Sequence, residues 1–331
     1  MKKKDFQSDQ VVKWCPGCGD YAILSSVQQA LAHLERPKEK TVFVSGIGCS
    51  SRFPYYMDTY GFHTIHGRAP TIASGLKIAN PDLDVWVITG DGDGLSIGGN
   101  HLIHILRRNL DINILLFNNE IYGLTKGQYS PTSEKGKVTK SSPMGTFEQP
   151  INPVRLALAS SATFVARTYD ANPKHMTEVF IQAAQHRGTS FIEILQNCVI
   201  FNNKTHEPIT ARDVRFDQLV HLEEGKPLIY GRNKDRGIVR DGCDFQPVTV
   251  ETETDIEKCI IHRPDTERLG YANMLADMGG DDGLPTPMGV IRKINKPVYE
   301  DLLIEQIDEA QALKGTGSLE DLFTDGEVWE V

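Results

Sequence analysis

Val85-Trp86-Val87-Ile88-Thr89-Gly90-Asp91-Gly92 is the stretch that decides the fold. Val85 to Ile88 is an unbroken apolar run, three of its four residues β-branched, and reads as a strand buried on both faces; the Gly-Asp-Gly behind it reads as the loop at the strand's C-terminal end. After twenty-five residues that follow Gly92 comes Asn118-Asn119, closing a second run, Ile112 to Phe117. Thr41 to Val44, ending at Ser45-Gly46, and Ser190 to Leu195 are further strands. Helical periodicity fills the gaps: Tyr21 to Leu34 with Asp20 as its N-cap, Thr71 to Ala79 stopped by Asn80-Pro81, and Ser96 to Arg108. Met176, Val179, Phe180, Ala183 and Ala184 share one further helical face. Apolar strands separated by helices predict a doubly wound, mostly parallel α/β sheet over residues 1–204.

Beyond Asn202 the pattern decays into turn-rich, charge-mixed sequence, with one amphipathic helix from Leu302 to Leu313. Residues 205–331 are therefore expected to be an irregular C-terminal extension that buries too little to fold alone and that wraps, or contacts, a partner subunit. The Gly/Ser/Thr/Pro/Lys-rich stretch from Tyr122 to Asn152 is too long for an idle loop inside a compact domain, which marks it as functional or disordered.

At 40% hydrophobic, 331 residues carry ample material for a core. The net charge of −9 lies wholly from Glu300 onward, where ten acidic residues meet one base, Lys314. The balance excludes a general nucleic-acid binder, which shows a basic stripe. No apolar run approaches the roughly 18 residues of a membrane span. Met1-Lys2-Lys3-Lys4 is followed by polar residues rather than an apolar signal core, so a cytoplasmic protein is expected. Six cysteines are too few for a disulfide scaffold, and the Cys15-x-x-Cys18 pair argues for metal or redox chemistry.

Two constellations carry the chemistry. Gly90 and Gly92 let backbone approach a diphosphate closely, and the helix that follows offers its N-terminus to an anion. Asp91 and the Asn119 amide oxygen are hard donors suited to Mg²⁺. Gly-Asp-Gly alone is also a common turn; both motifs, at this spacing on two strand ends, make a site. In Trp14-Cys15-Pro16-Gly17-Cys18-Gly19-Asp20 the Pro-Gly turn points two thiols the same way. Cys49 follows the first strand and Cys198 the strand ending at Leu195, so both belong to the sheet edge that carries the Gly-Asp-Gly loop. Four thiolates can hold Zn²⁺ or a [4Fe–4S] cluster, and Cys49 and Cys198 can equally be ordinary buried thiols. Cys243 and Cys259 lack partners at ligand spacing.

GDG with its distant NN resembles the thiamine diphosphate fingerprint, which implies Asp91, Asn119 and the Ile121 carbonyl as Mg²⁺ ligands, with Gly90, Gly92 and Asp93 near the diphosphate. WCPGCGD, GIGCSSRFPYYMDTYGFHTIHGRAP, GDGDGLSIGGNH and NNEIYGLTKGQYSPTS, together with Cys198, resemble the β subunits of the 2-oxoacid:ferredoxin oxidoreductases. The resemblance covers about residues 14–200 and implies a sheet of the thiamine-diphosphate-binding type. It implies Cys15, Cys18, Cys49 and Cys198 as ligands of a [4Fe–4S] cluster, and Ile47, Gly48, Cys49, Ser50, His66, Gly123 and Leu124 along the cofactor, Leu124 propping its bent form. Arg52 and Lys126 flank these stretches and are candidates to meet substrate carboxylates. The implied activity is oxidative decarboxylation of a 2-oxoacid, with coenzyme A taking the acyl group and electrons passing through the cluster to ferredoxin. It also implies an α subunit that supplies the glutamate activating the cofactor. The wording from Ser50 to Pro70 is most similar to the 2-oxoglutarate forms. Pyruvate or mixed 2-oxoacids, a cluster-free thiamine enzyme with structural zinc, and a non-enzymatic nucleotide-binding module are the alternatives.

Overall fold

The computed structural model describes every residue except Asp281, Asp282, Val328, Glu330 and Val331. One of the ten acids of the tail, Glu330, thus lies outside the described residues.

The strands are β1 (Thr41–Ser45), β2 (Tyr60–His63), β3 (Asp84–Gly90), β4 (Ile112–Asn118), β5 (Phe164–Tyr169) and β6 (Ser190–Leu195). Between them run α1 (Asp20–His33), α2 (Ala69–Ala79), α3 (Gly99–Arg108), α4 (Pro153–Ala159) and α5 (Pro173–Gln185). Strands β1, β3, β4 and β6 coincide with the four apolar runs. Every residue of β1, β4 and β6 is buried, as strands covered on both faces require. Two apolar clusters, one on each face, fill the space under the helices: Val42, Val85, Val87, Ile114 and Leu116 on one side, Phe43, Trp86, Ile88, Leu115 and Phe117 on the other. The alternation of these residues along each strand is the two-residue period of a pleated sheet.

Two expectations are corrected in detail, and two strands are added. Asp20 is not the N-cap of α1; Gly19 is, because a side chain there would strike the Asp170 carboxylate at 1.9 Å, and Asp20 turns inward as the first helical residue. The helix expected from Ser96 begins at Gly99, after one π-helical turn (Asp93–Ile97) closed by Gly98 N–H to Asp93 O at 3.1 Å. Such turns put one extra residue into a helix and recur at functional sites. β5 and β2 had no sequence signal, since Arg167 interrupts the apolar run of one and all four residues of the other are exposed.

The chain beyond β6 adds α6 (Glu207–Thr210), α7 (Arg215–Gln218), β7 (Leu219–Leu222), β8 (Ile229–Tyr230), β9 (Arg236–Asp241), β10 (Asp244–Thr249), α8 (Glu253–Lys258), α9 (Leu269–Asp277) and β11 (Thr286–Lys293). β11 pairs antiparallel with β5 and parallel with β7, so both join the main sheet, whose order is β2-β1-β3-β4-β6-β5-β11-β7. β8, β9 and β10 form a small antiparallel sheet. Val220, Ala272, Leu275 and Ile291 share the first apolar cluster with β3 and β4, which is why this stretch has no core of its own. α10 (Tyr299–Lys314) and α11 (Leu319–Thr324) end the chain with exposed leucines and isoleucines.

His175 on α5 is held neutral: burial, then the nearby His221, lowers its pKa to about 3, and its Nδ1 lies 2.8 Å from Thr168 Oγ1. A histidine whose folded pKa is depressed contributes stability above the unfolded value, about 6.5, and loses it as pH falls toward the folded value. Thermal melts should therefore show a shallower loss of stability between pH 6.5 and 4 in His175→Gln than in the parent chain; parallel curves would refute the assignment.

Candidate functional site

β1, β3, β4 and β6 are consecutive neighbours in the sheet, all parallel, and their C-terminal ends lead into Cys49, Asp91, Asn119 and Cys198. Asp91 is buried, and its Oδ2 accepts hydrogen bonds from Ser130 Oγ at 2.5 Å and Thr132 Oγ1 at 2.6 Å. The long loop thus folds its hydroxyls back over the aspartate. Burial still pushes the carboxyl up to about 6, because hydroxyls offset desolvation only in part. Asn119 accepts from Ile121 N–H at 3.2 Å and donates Nδ2–H to Gln196 Oε1 at 2.8 Å. Between them Glu120 sits at φ +55°. Asn202 Nδ2 donates to Asn119 O at 2.9 Å, and Ser133 Oγ to Glu120 O at 2.6 Å, which hold that strained turn. A buried carboxylate and a fixed amide oxygen on adjacent strand ends are a donor set for a small hard cation.

The side chain of Asp93 is bound within the protein. Its Oδ1 accepts from Ile47 N–H (3.0 Å), Gly67 N–H (2.7 Å) and His66 Nδ1 (2.6 Å), and its Oδ2 from Thr89 Oγ1 (2.6 Å). The side chain is spent on the protein itself, tying the loop after β1 and the His66 loop to β3. Gly46 makes room for it: a Cβ there would stand 1.9 Å from Asp93 Oδ2. With Nδ1 committed to a carboxylate, His66 keeps Nε2 for a ligand. The missing side chain of Gly92 likewise serves the protein, for its Cβ would meet the Tyr122 ring at 2.2 Å, and Tyr122 donates its hydroxyl to Gly92 O at 2.9 Å. Gly90 faces freer space, with Ser50 Oγ 3.5 Å from where its Cβ would be. Gly48 needs to be glycine for its φ of +144°.

The four candidate thiols line one cavity of about 290 Å³, together with Asp20, Asn119, Gln196, Gly123 and Leu124. Gly123 keeps the space between two of them open, its Cβ position lying 3.6 Å from Cys198 Sγ and 3.7 Å from Cys49 Sγ. Burial first, then the charge of Asp20 and the neighbouring thiols, pushes the Cys49 thiol up to about 12 and Cys18 higher still. Thiolates gathered without a countercharge repel one another, and metal supplies that charge. Arg52 and Lys126, both exposed, line the same cavity with Lys13. Cys243 and Cys259 lie outside it, Cys259 buried and donating to Asp255 O at 3.3 Å.

Four residues that matter here had no sequence signal. Ser130 and Thr132 lie in a low-complexity loop, Asp20 resembles a helix cap, and Gln196 resembles any strand-end amide. Asp20 is the most unusual, with a buried carboxylate that burial lifts to about 7 and an Oδ1 without a hydrogen-bond partner.

A curated relative from Mycobacterium tuberculosis, 2-oxoglutarate oxidoreductase subunit KorB, is 49% identical over 333 residues, spanning 100% of this chain and 89% of its own length. The chain belongs to the β-subunit family of the 2-oxoacid:ferredoxin oxidoreductases. Within this β subunit, residues 46–194 match the thiamine pyrophosphate enzyme C-terminal TPP binding domain. An Aeropyrum pernix 2-oxoacid:ferredoxin oxidoreductase β subunit is 46% identical over 211 residues, covering 64% of this chain and 65% of its own. The solved 2-oxoglutarate:ferredoxin oxidoreductase from Magnetococcus marinus, with 2-oxoglutarate, coenzyme A and succinyl-CoA bound, superimposes with a TM-score of 0.79 at 33% identity, covering 99% of this β subunit and 97% of that chain. The β subunit is thus part of an oxidoreductase with a mostly parallel α/β thiamine-binding fold. Among its described residues no helix is long and apolar enough to cross a membrane.

Asp91→Asn removes the charge that burial opposes while keeping an acceptor for Ser130 and Thr132. The cofactor-free variant should keep its helical circular dichroism and melt no lower than the parent at pH 7. Isothermal calorimetry should then find no Mg²⁺-dependent uptake of thiamine diphosphate; unimpaired uptake would move the metal site elsewhere.

Proposed function

We propose that this β subunit binds Mg²⁺–thiamine diphosphate and a [4Fe–4S] cluster and, with an α subunit, catalyses the oxidative decarboxylation of 2-oxoglutarate to succinyl-CoA and CO₂, ferredoxin taking the electrons in the cytoplasm. The observation that carries the reading is the single cavity in which four thiols meet Asn119, Gly123 and Leu124, so the cluster and cofactor positions adjoin. Among the described residues no three His, Cys, Asp or Glu side chains close tightly enough to hold one metal ion. The four thiols line one cavity of about 290 Å³, which has room for a polynuclear cluster.

Thiamine diphosphate supplies the carbanion and the electron sink, and the cluster a one-electron acceptor. The chain's own residues do the placing. Asp91, Asn119 and the Ile121 carbonyl hold the cation; Ile47 to Ser50, Gly90 and the backbone at Gly92–Asp93 wall the cofactor, with His66 turned toward it by Asp93. Gly123 and Leu124, which line the thiol cavity, would wall the cofactor on the side of the cluster. Arg52 and Lys126 place cations where the carboxylates of a 2-oxoacid would enter. The activating glutamate is assigned to the α subunit. Among the described residues two glutamates are buried: Glu193 is bound by Arg167 at 2.7 Å and Asn118 at 2.8 Å, and Glu300 accepts from Asp111 N–H, before the start of β4, at the opposite edge of the sheet. Residues 205–331 and the exposed tail are assigned to contact with that partner.

Anaerobically purified protein should be brown, with broad absorption near 400 nm and about four irons per chain. A colourless, zinc-loaded protein would remove the electron-transfer step. For the substrate, Arg52→Ala should lower kcat/KM on 2-oxoglutarate about ten-fold or more relative to pyruvate, since only the former has a second carboxylate to leave unpaired. Equal losses on both would end the carboxylate role.

A further inference from the structure

Gln196, the residue directly after β6, is 1% exposed and stands between the two candidate cofactor sites. Its Nε2 donates to Cys18 Sγ at 3.3 Å and to Asn197 O at 2.6 Å, while its Oε1 accepts from Asn119 Nδ2 at 2.8 Å. Asn119 in turn accepts from Ile121 N–H through Oδ1. The orientation of both amides follows from backbone groups. Ile121 N–H can only donate, which turns the Asn119 oxygen toward it and its NH₂ toward Gln196. Asn197 C=O can only accept, which turns the Gln196 NH₂ toward it and toward the sulfur. No flip of either amide satisfies both ends. The backbone fastens the glutamine as well, since its N–H donates to Asn118 O at 2.9 Å. One polarised chain of hydrogen bonds therefore runs from the loop of the divalent cation to the Cys18 thiol.

The geometry points to Gln196 as a positioning residue for both centres: it fixes the Asn119 amide so that its oxygen faces the cation, and it donates a hydrogen bond to the Cys18 sulfur that sets the potential of the cluster. This rests on the function proposed above and goes beyond it by naming what tunes the electron acceptor. An N–H bonded to a ligating thiolate stabilises the extra negative charge of the reduced cluster and so raises its potential. A partner that orients a ligand's donor atom typically contributes ten- to hundred-fold to metal affinity. Because one side chain does both, a change at residue 196 acts on both centres at once.

The test uses the complex with its α subunit, purified anaerobically, and two variants. Gln196→Met keeps the volume and loses both the donor and the amide oxygen. Gln196→Glu keeps an acceptor for Asn119 and loses the donor to Cys18. Iron is counted first, then the cluster potential is read by an EPR-monitored redox titration, and Mg²⁺–thiamine diphosphate affinity by calorimetry on cofactor-depleted protein. Both variants should shift the potential to more negative values. Kd for Mg²⁺–thiamine diphosphate should rise about ten-fold in Gln196→Met and stay within about three-fold of the parent in Gln196→Glu. An unchanged potential in both variants, with iron retained, would overturn the proposal. So would loss of iron from both at unchanged melting temperature, which would make the glutamine an assembly residue. A parent complex that holds no iron would instead sink the function on which the inference rests.

Discussion

The parallel pairing of β1, β3, β4 and β6 as immediate neighbours is the constraint on which the rest depends. Register brings Ser45 beside Ile88, Gly90 beside Phe117 and Asn118 beside Leu195, so four chain segments far apart in sequence leave the sheet at one edge within a few residues of one another. Strands of a parallel sheet need crossovers, and the crossovers put α2, α3, α4 and α5 over the faces, with α1, which precedes β1, packed against α5, closing them to water. What remains open is the edge itself. Cys49, Asp91, Asn119 and Cys198 are on that edge because paired strands that end one to four residues earlier leave them no other place to be.

That edge is electrostatically unfavourable in the bare chain. Asp20 and Asp91 are buried acids that burial lifts above the ordinary carboxylate range, and two thiols beside them are pushed up as well. Asp93, equally buried, is surrounded by four donors and serves as the fastener of the site. The contrast separates the two kinds of acid: one is satisfied by protein and gives rigidity, the others await positive charge. Cations bound by these buried acids and crowded thiols would recover the free energy that their burial costs, so affinity for metal and a less stable metal-free protein would be two aspects of the same arrangement.

Much of this was legible from residues 14–200. The apolar runs gave the strands, and motifs at strand ends gave the donors, because a parallel sheet makes strand end and ligand edge the same place. The signals that failed share a cause. Ser130, Thr132 and Gln196 act through contacts between segments 39 to 178 residues apart, and no local pattern distinguishes a serine over Asp91 from a serine in solvent. Asp20 and Asp93 were visible as residues but not as roles: a helix-start aspartate and the second acid of GDGD read as cap and ligand, while the fold turned one toward the thiols and wrapped the other in donors. β7 and β11 escaped for a similar reason. Pro287, Gly289 and Arg292 break the strand pattern of β11, and it forms because β5 offers an open edge beside it.

The loop after β4 shows how one segment can face two ways. Its inner hydroxyls, on Ser130, Thr132 and Ser133, are buried against Asp91 and Glu120, while Met144 and Phe147 further along are 95% and 86% exposed. Two large apolar side chains held out in water on an otherwise polar loop cost free energy unless something covers them. Ile200 and Phe201, next to Cys198, and Leu124 at the thiol cavity are exposed in the same manner. A partner that covered these residues would exclude water from the cavity, strengthening every interaction of the charged groups inside it. A partner subunit would thus, by its mere presence, complete the low-dielectric surroundings of Asp91, Arg52 and the thiols.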